Sequence, residues 1–255
     1  MSDDIIWRIP PSVLRPLTEL PQDRPIVLLL RHSVRYDLPS DAPGNEVTLT
    51  ETGRALANNL GAIIGSRLRS LHASPVPRCI ETADEIRNGS GVNGTVTQNH
   101  LLGDPGVFVL DGPTAWKNWQ ELGHEGVMAK LESGTEILPG MADPDAAARF
   151  LIHSVLAQAG NEAGLHIFVS HDSVIAATAS RLLGHPNGSA DWPWYLEGAF
   201  FLRNKDGSIR CLYRDWDECL PSQLCRIDEK DVTEFARREI SLTIGLNSPA
   251  RFFLA

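Results

Sequence analysis

The sequence predicts a three-layer α/β/α sandwich with a mainly parallel central sheet. Two features carry the prediction. Ile-Val-Leu-Leu-Leu at 26–30 and Leu-His-Ile-Phe-Val at 165–169 are short, largely apolar runs that suit strands buried on both faces and fall below ordinary helix length. Elsewhere apolar residues recur at helical spacing, as in Leu56, Leu60, Ile63 and Ile64, and again in Leu151, Ile152, Val155 and Leu156. Strands that alternate with helices are joined by right-handed crossovers, which make neighbouring strands parallel and clothe both faces of the sheet.

Taken in order, residues 1–25 contain Pro10, Pro11, Pro16, Pro21 and Pro25 and read as an extended arm laid over the domain. The strand at 26–30 follows. After a polar loop at 37–45, Leu49-Thr50-Glu51-Thr52-Gly53 opens a helix, with Thr50 a suitable N-cap. A short strand is expected around Leu71-His72-Ala73. Ser74-Pro75 then starts a helix that runs through Ile80, Ala83 and Ile86 to a Gly/Asn/Ser loop at 89–94. Residues 101–145 show little periodicity and many turn residues, so a small irregular insertion or lid with one or two short helices is expected there. A helix at 145–159, a strand at 165–169 and a helix at 174–183 ended by Gly184 come next. Residues 198–203 and 209–213 form a hairpin across Asn204-Lys205-Asp206-Gly207. A charged helix at 231–242, within a C-terminal extension at about 228–255, completes what reads as one domain over 1–255.

Composition narrows the functional classes. The chain has 255 residues, 42% hydrophobic and 22% charged, enough to bury a sizeable core. Its net charge of −9 argues against nucleic-acid or anionic-membrane partners, which need a basic face. The start, Met1-Ser2-Asp3-Asp4, lacks the basic and apolar regions of a secretory signal, and no apolar run approaches the ~18 residues of a membrane span. The four cysteines, Cys79, Cys211, Cys219 and Cys225, include no C-x-x-C pair, so reduced thiols and a cytoplasmic location are expected. Oligomeric state stays open.

Three strand exits present reactive groups. The first gives Arg31, His32 and Arg35; the second Ser74 and Arg78; the third His171 and Asp172. Ligands of open α/β sheets lie outside the carboxyl ends of strands, so parallel neighbours would bring these side chains to one cleft. Arginine forks match phosphate oxygens and stay charged at any working pH. The remaining histidines, His72, His100, His124, His153, His166 and His185, lack such company. The aromatic run Trp192-Pro193-Trp194-Tyr195 is placed to pack near the cleft mouth, and Glu197 reads as structural.

Arg31-His32-x-x-Arg35, Leu49-Thr50-x-x-Gly53, Ser74-Pro75-x-x-Arg78-x-x-Glu81-Thr82-Ala83 and Ser170-His171-Asp172, in this order over about residues 26–203, resemble the histidine phosphatase superfamily, whose fold is phosphoglycerate mutase-like. Arg35 and Asp172 look more like its acid phosphatase and phytase branch than its mutase branch. Ser33 stands where both branches carry glycine, and Glu81 where glutamine is frequent.

The resemblance implies a metal-independent phosphomonoesterase without a cofactor, acting on a small phosphorylated organic substrate. His32 would form a phosphohistidine, and Arg31, Arg35, Arg78 and His171 would bind the phosphoryl oxygens. Ser33 joins the substrate-binding set, where it either crowds the phosphate pocket or adds a hydroxyl donor. Asp172 would protonate the leaving alkoxide, with Asp104 as the alternative donor. The same residues also admit a phosphoryl mutase or transferase, a non-catalytic regulatory protein that binds a phosphate ligand, and a metallohydrolase using His32, His171 and Asp172. The neighbouring arginines oppose the last.

Overall fold

The structure is a computed structural model, and it describes residues 7–39, 44–184 and 192–221 together with 224 and 235. Seven strands form one sheet in the order β3-β2-β4-β1-β5-β6-β7. They are β1 (Pro25–Arg31), β2 (Leu68–Ala73), β3 (Val96–Gln98), β4 (Gly164–Ser170), β5 (Gly198–Arg203), β6 (Ile209–Tyr213) and β7 (Trp216–Cys219). The first four are mutually parallel where they pair, and β5 to β7 continue the sheet antiparallel from the far side of β1.

The apolar run of β1 shows why three layers form. Its alternate side chains enter two different cores. Val27 and Leu29 pack with residues of α4 (Gly112–Ser133), α5 (Pro144–Ala159) and α6 (Asp172–Leu183), among them Leu131, Leu151 and Ile175. Ile26, Leu28 and Leu30 pack on the opposite face with α1 (Pro11–Glu19), α2 (Glu51–Ile64) and α3 (Pro77–Ser90), against Val13, Leu60 and Ile86. Each such side chain contributes roughly 1.5–3 kcal/mol by leaving water.

Several boundaries differ from expectation. Residues 11–19 are helical, although the prolines suggested an extended arm. Pro11 occupies the first turn, where its missing N–H costs nothing, Pro16 is buried, and Val13 and Leu17 enter the second core. The Arg67 side chain fastens this helix by donating to the Leu17 carbonyl. Helix α3 begins at Pro77 instead of Ser74, because the Ser74 hydroxyl accepts from Val76 N–H at 3.3 Å and so holds a turn ahead of the helix. Helix α6 begins at Asp172, two residues before Val174. Within 101–145 the long α4 is broken at Gly123, whose φ of 67° and ψ of 176° divide it into two segments. Strands β3 and β7 carried no clear signal. The helix expected at 231–242 lies outside the described residues except for Phe235, whose ring stacks on Phe150 at 4.4 Å.

Candidate active site

The carboxyl ends of β2, β4 and β1 lie side by side, with Arg31 opposite Ser170 and Ala73 opposite Val169. The ladder reaches one residue past two of these strands. His32 N–H donates to Ser170 O at 2.9 Å, and Ser74 N–H to Val169 O at 2.9 Å. These bonds fix the backbone from which the reactive side chains project, and the three strand exits converge.

His32 is 2% exposed, and its surroundings select one tautomer. Nδ1 lies 2.8 Å from the Ser33 carbonyl, which can only accept, so Nδ1 carries the proton. Nε2 accepts from Arg78 Nε–H at 3.2 Å and keeps its lone pair. Arg78 is itself fully buried. It donates to the Gly44 carbonyl at 2.9 Å and reaches His171 Nδ1 at 3.4 Å. Accepting at Nδ1 leaves His171 Nε2–H facing Ser74 Oγ at 3.0 Å. One guanidinium thus addresses both imidazoles, whose rings stand 5.7 Å apart. Burial, then the charges of Arg31 and Arg78, hold the His32 pKa well below the ordinary imidazole value. Burial and Arg78 push His171 down to about 3. Both rings are therefore held in the neutral form near pH 7.

Asp172 is the first residue of α6, and its carboxylate accepts from Ser173 N–H at 2.8 Å. Its other oxygen accepts from Arg31 Nη2 at 2.7 Å and from Trp192 Nε1–H at 3.1 Å. Burial opposes its ionisation, but the Arg31 charge and the Trp192 indole hydrogen bond outweigh burial and hold the carboxyl well below the usual carboxylate range. Arg31 also donates to the Pro193 carbonyl and lies 4.0 Å over the Tyr195 ring. Its Nε is buried without a partner among the described residues, an open donor in an otherwise satisfied cluster.

The model of the histidine phosphatase superfamily (branch 1) matches residues 27–195. The chain belongs to this superfamily. Among solved structures it is similar to the phosphoserine phosphatase of Entamoeba histolytica in complex with 3-phosphoglyceric acid, at 16% identity and a TM-score of 0.51, over 79% of this chain and 100% of that one. It is likewise similar to the mycobacterial glucosyl-3-phosphoglycerate phosphatase with inorganic phosphate, at 19% identity and a TM-score of 0.50, over 76% of this chain and 97% of that one. A third is a mycobacterial hydrolase, at 18% identity and a TM-score of 0.51, over 83% and 97%. These likenesses establish the phosphoglycerate mutase-like α/β fold. No curated protein matches. The matching model is that of branch 1, whereas Arg35 and Asp172 had pointed to the acid phosphatase and phytase branch.

Within this superfamily member the structure brings Arg31, His32, Arg78, His171 and Asp172 into one buried cluster. Arg35 stands at its rim. Its Nη1 donates to the Tyr36 carbonyl at 2.8 Å, although its charge still acts on Arg78 and His171. Ser33 has its hydroxyl engaged within the fold. Its Oγ donates to the Gly53 carbonyl at 2.7 Å, and its N–H donates to Thr82 Oγ1 at 3.0 Å. Glu81 accepts from Leu49 N–H at 2.8 Å and pairs with Arg54 at 3.0 Å, tying α3 to the start of α2. Asp104 follows Gly103, where a Cβ would come within 2.5 Å of His171 Nε2, so its loop borders the cluster.

Sequence reasoning placed Trp192 and Tyr195 near the cleft mouth without a contact to the catalytic residues; Trp192 donates to Asp172 and Tyr195 lies under Arg31. Their position just before β5 was the available signal. Cys79 Sγ lies 3.6 Å from His171 Nε2, and burial pushes its thiol up to about 12, so it is an inert neighbour. Among the described residues no group of three or more His, Cys, Asp or Glu could hold a metal ion.

Proposed function

We propose that the chain is a metal-independent phosphomonoesterase that works through a phosphohistidine on His32. One observation carries this reading: a buried, neutral imidazole whose Nε2 lone pair faces the guanidinium of Arg78. Arg78 moves its Nε–H from His32 to a phosphoryl oxygen when substrate arrives, which frees Nε2 for in-line attack. The open Nε of Arg31, Arg35 at the rim and the donor face of His171 supply further contacts to the developing charge. As the N–P bond forms, the ester P–O bond breaks. A water then attacks phosphorus, the N–P bond breaks, and phosphate leaves.

Asp172 is the proposed proton donor, although in the free site it is an anion with three hydrogen-bond donors around it. A bound phosphate dianion draws Arg31 onto its oxygens and adds negative charge beside Asp172. Both effects raise the affinity of the carboxyl for a proton. The donor is therefore created by the substrate, which favours turnover on the acid side of neutral, as an acid phosphatase-like enzyme would show. The reading includes a small phosphorylated organic substrate, no nucleic-acid or membrane partner and a cytoplasmic location. The acidic net charge and the free thiols of Cys79, Cys211 and Cys219 support it.

The test is rapid quenching with a 32P-labelled phosphate ester in the presence of chelator. Acid-labile, base-stable label on the wild type and none on His32→Ala is expected, with turnover falling at least about 10⁴-fold. Label retained by His32→Ala would overturn the assignment. Asp172→Asn should slow alkyl esters about 10²–10³-fold and 4-nitrophenyl phosphate far less, since 4-nitrophenolate leaves without a proton. If Asp104→Asn shows that split instead, the donor role passes to Asp104.

A further inference from the structure

The donors that hold the Asp172 carboxyl differ in what a substrate does to them. Oδ1 accepts from Ser173 N–H, a backbone donor in the first turn of α6. Oδ2 accepts from two side chains, Arg31 Nη2 at 2.7 Å and Trp192 Nε1–H at 3.1 Å. A carboxylate oxygen carries two lone pairs, so this pair of donors fills Oδ2. Arg31 is also a phosphate ligand in the proposed mechanism, and a phosphoryl group draws it away from Asp172. Trp192 has no charge to follow the phosphate and is anchored elsewhere. Its ring packs on the core shared by α4, α5 and α6 and meets the His124 ring at 5.0 Å, with 77° between the planes. His124 directly follows the break of α4 at Gly123.

Once Arg31 has moved, Oδ2 keeps the indole N–H and has one empty lone pair, directed at the place the guanidinium has left. A proton entering there faces the phosphoryl group that Arg31 now holds. We propose that Trp192 is the positioning residue of the proton donor: its N–H fixes the Asp172 carboxyl while substrate engages Arg31, so that the proton is delivered toward the departing oxygen. The inference rests on the reading of Asp172 as donor and adds the group that aims it.

The indole N–H bonds best to the ionised carboxyl, so it also sets the pH at which the donor is lost. The other groups facing Asp172 are Arg31 and His32 at the end of β1, Arg78 and Cys79 on α3, and His171 at the end of β4. Burial keeps both imidazoles neutral near pH 7 and the Cys79 thiol protonated, and the arginines stay charged. None of them changes charge there as the carboxyl titrates.

The test is the pH profile of kcat for n-butyl phosphate and 4-nitrophenyl phosphate on the wild type, Trp192→Phe and Asp172→Asn. The donor must be protonated in the complex, so the wild type should lose butyl phosphate turnover on a basic limb that Asp172→Asn lacks. Trp192→Phe removes the N–H and leaves an aromatic ring against His124. The ionised carboxyl is then less stable, and the basic limb should move up by about one pH unit. The acid plateau should fall about tenfold, because the carboxyl is less well aimed. Turnover of 4-nitrophenyl phosphate, whose leaving group needs no proton, should slow far less. Replacing Trp192 by 3-benzothienylalanine, with sulfur in place of the N–H, repeats the measurement with the ring shape kept.

A merely structural Trp192 would slow both esters alike and leave the limb in place, and that result overturns the inference. If Asp172→Asn keeps the limb and the wild-type ratio of the two esters, the donor reading fails and the inference with it. If Asp172→Asn loses them while both Trp192 replacements match the wild type, only the inference fails.

Discussion

Ser33 shows how a residue can sit beside a nucleophile and still act through the fold. It follows His32, and its carbonyl holds the proton on His32 Nδ1 at 2.8 Å. That task needs only backbone, so any residue type could perform it. The hydroxyl has a separate role, donating to Gly53 O inside the first turn of α2 at 2.7 Å. Exchange for the glycine that the family pattern carries would remove this bond and leave the carbonyl in place. Ser33→Gly should therefore lose about 1 kcal/mol of stability in urea denaturation and keep kcat within about threefold. A large drop in kcat with unchanged stability would instead place the hydroxyl on the substrate. The sequence could locate Ser33 at a strand exit, but only the approach of α2 reveals which way its Oγ turns.

At the scale of elements, the site depends on a turn that contributes no reacting atom. Residues 192–197 hold Arg31 from two directions, through the Pro193 carbonyl and the Tyr195 ring. The turn is itself anchored by Glu197. Its buried carboxylate accepts from Arg214 Nε and Nη2 at 3.0 and 3.1 Å and from Trp194 N–H at 2.7 Å, while its carbonyl accepts from Arg31 N–H at 2.8 Å. Ser12 of α1 adds a bond at 3.3 Å, so the N-terminal helix reaches the same anchor. Glu197 is a positioning residue. Glu197→Gln should cost about 2–3 kcal/mol of stability, because it removes the buried carboxylate that accepts from two Arg214 nitrogens. It should also raise KM for a phosphate ester several-fold more than it lowers kcat, since Arg31 would be less well held. A purely structural role would leave KM unchanged in the folded fraction. Short apolar runs made β1 and β4 legible, helical spacing made α2 and α5 legible, and the strand exits made His32, Arg78, His171 and Asp172 legible. The helix at Pro11–Glu19 was hidden because local proline chemistry speaks against it, and only burial of Val13 and Leu17 against the sheet overrides that. The contacts of Trp192 and Tyr195 were hidden for a related reason: a turn's path is set by what it packs on.

Across the whole molecule, the two site histidines link catalysis to stability with opposite consequences as pH falls. In the unfolded chain a histidine takes up a proton below about pH 6.5. In the fold, burial and the surrounding arginines keep His32 well below that value and His171 at about 3, so both remain neutral. The unfolded state then binds more protons than the native state, and stability falls as pH drops from about 6.5, by about 1.4 kcal/mol per pH unit for each such histidine. Asp172 has the same sign in a lower window, because the unfolded carboxyl also takes up its proton before the folded one. Its lowered pKa stabilises the fold above about pH 4 and is lost only as pH falls below that. Between pH 6.5 and 4 the histidines alone set the slope at this site. The lowered pKa of His32 keeps the nucleophile neutral as pH passes below 6.5, so kcat/KM should not fall with a histidine pKa near 6.5 while unfolding free energy measured in urea declines. His32→Ala removes one of the two protonation differences and should make stability fall less steeply as pH drops below about 6.5. An unchanged slope would mean that His32 titrates alike in both states. Saturating phosphate should raise stability at every pH in this range, by about 2.7 kcal/mol at a hundredfold excess over its dissociation constant, because only the folded arginine cluster binds it.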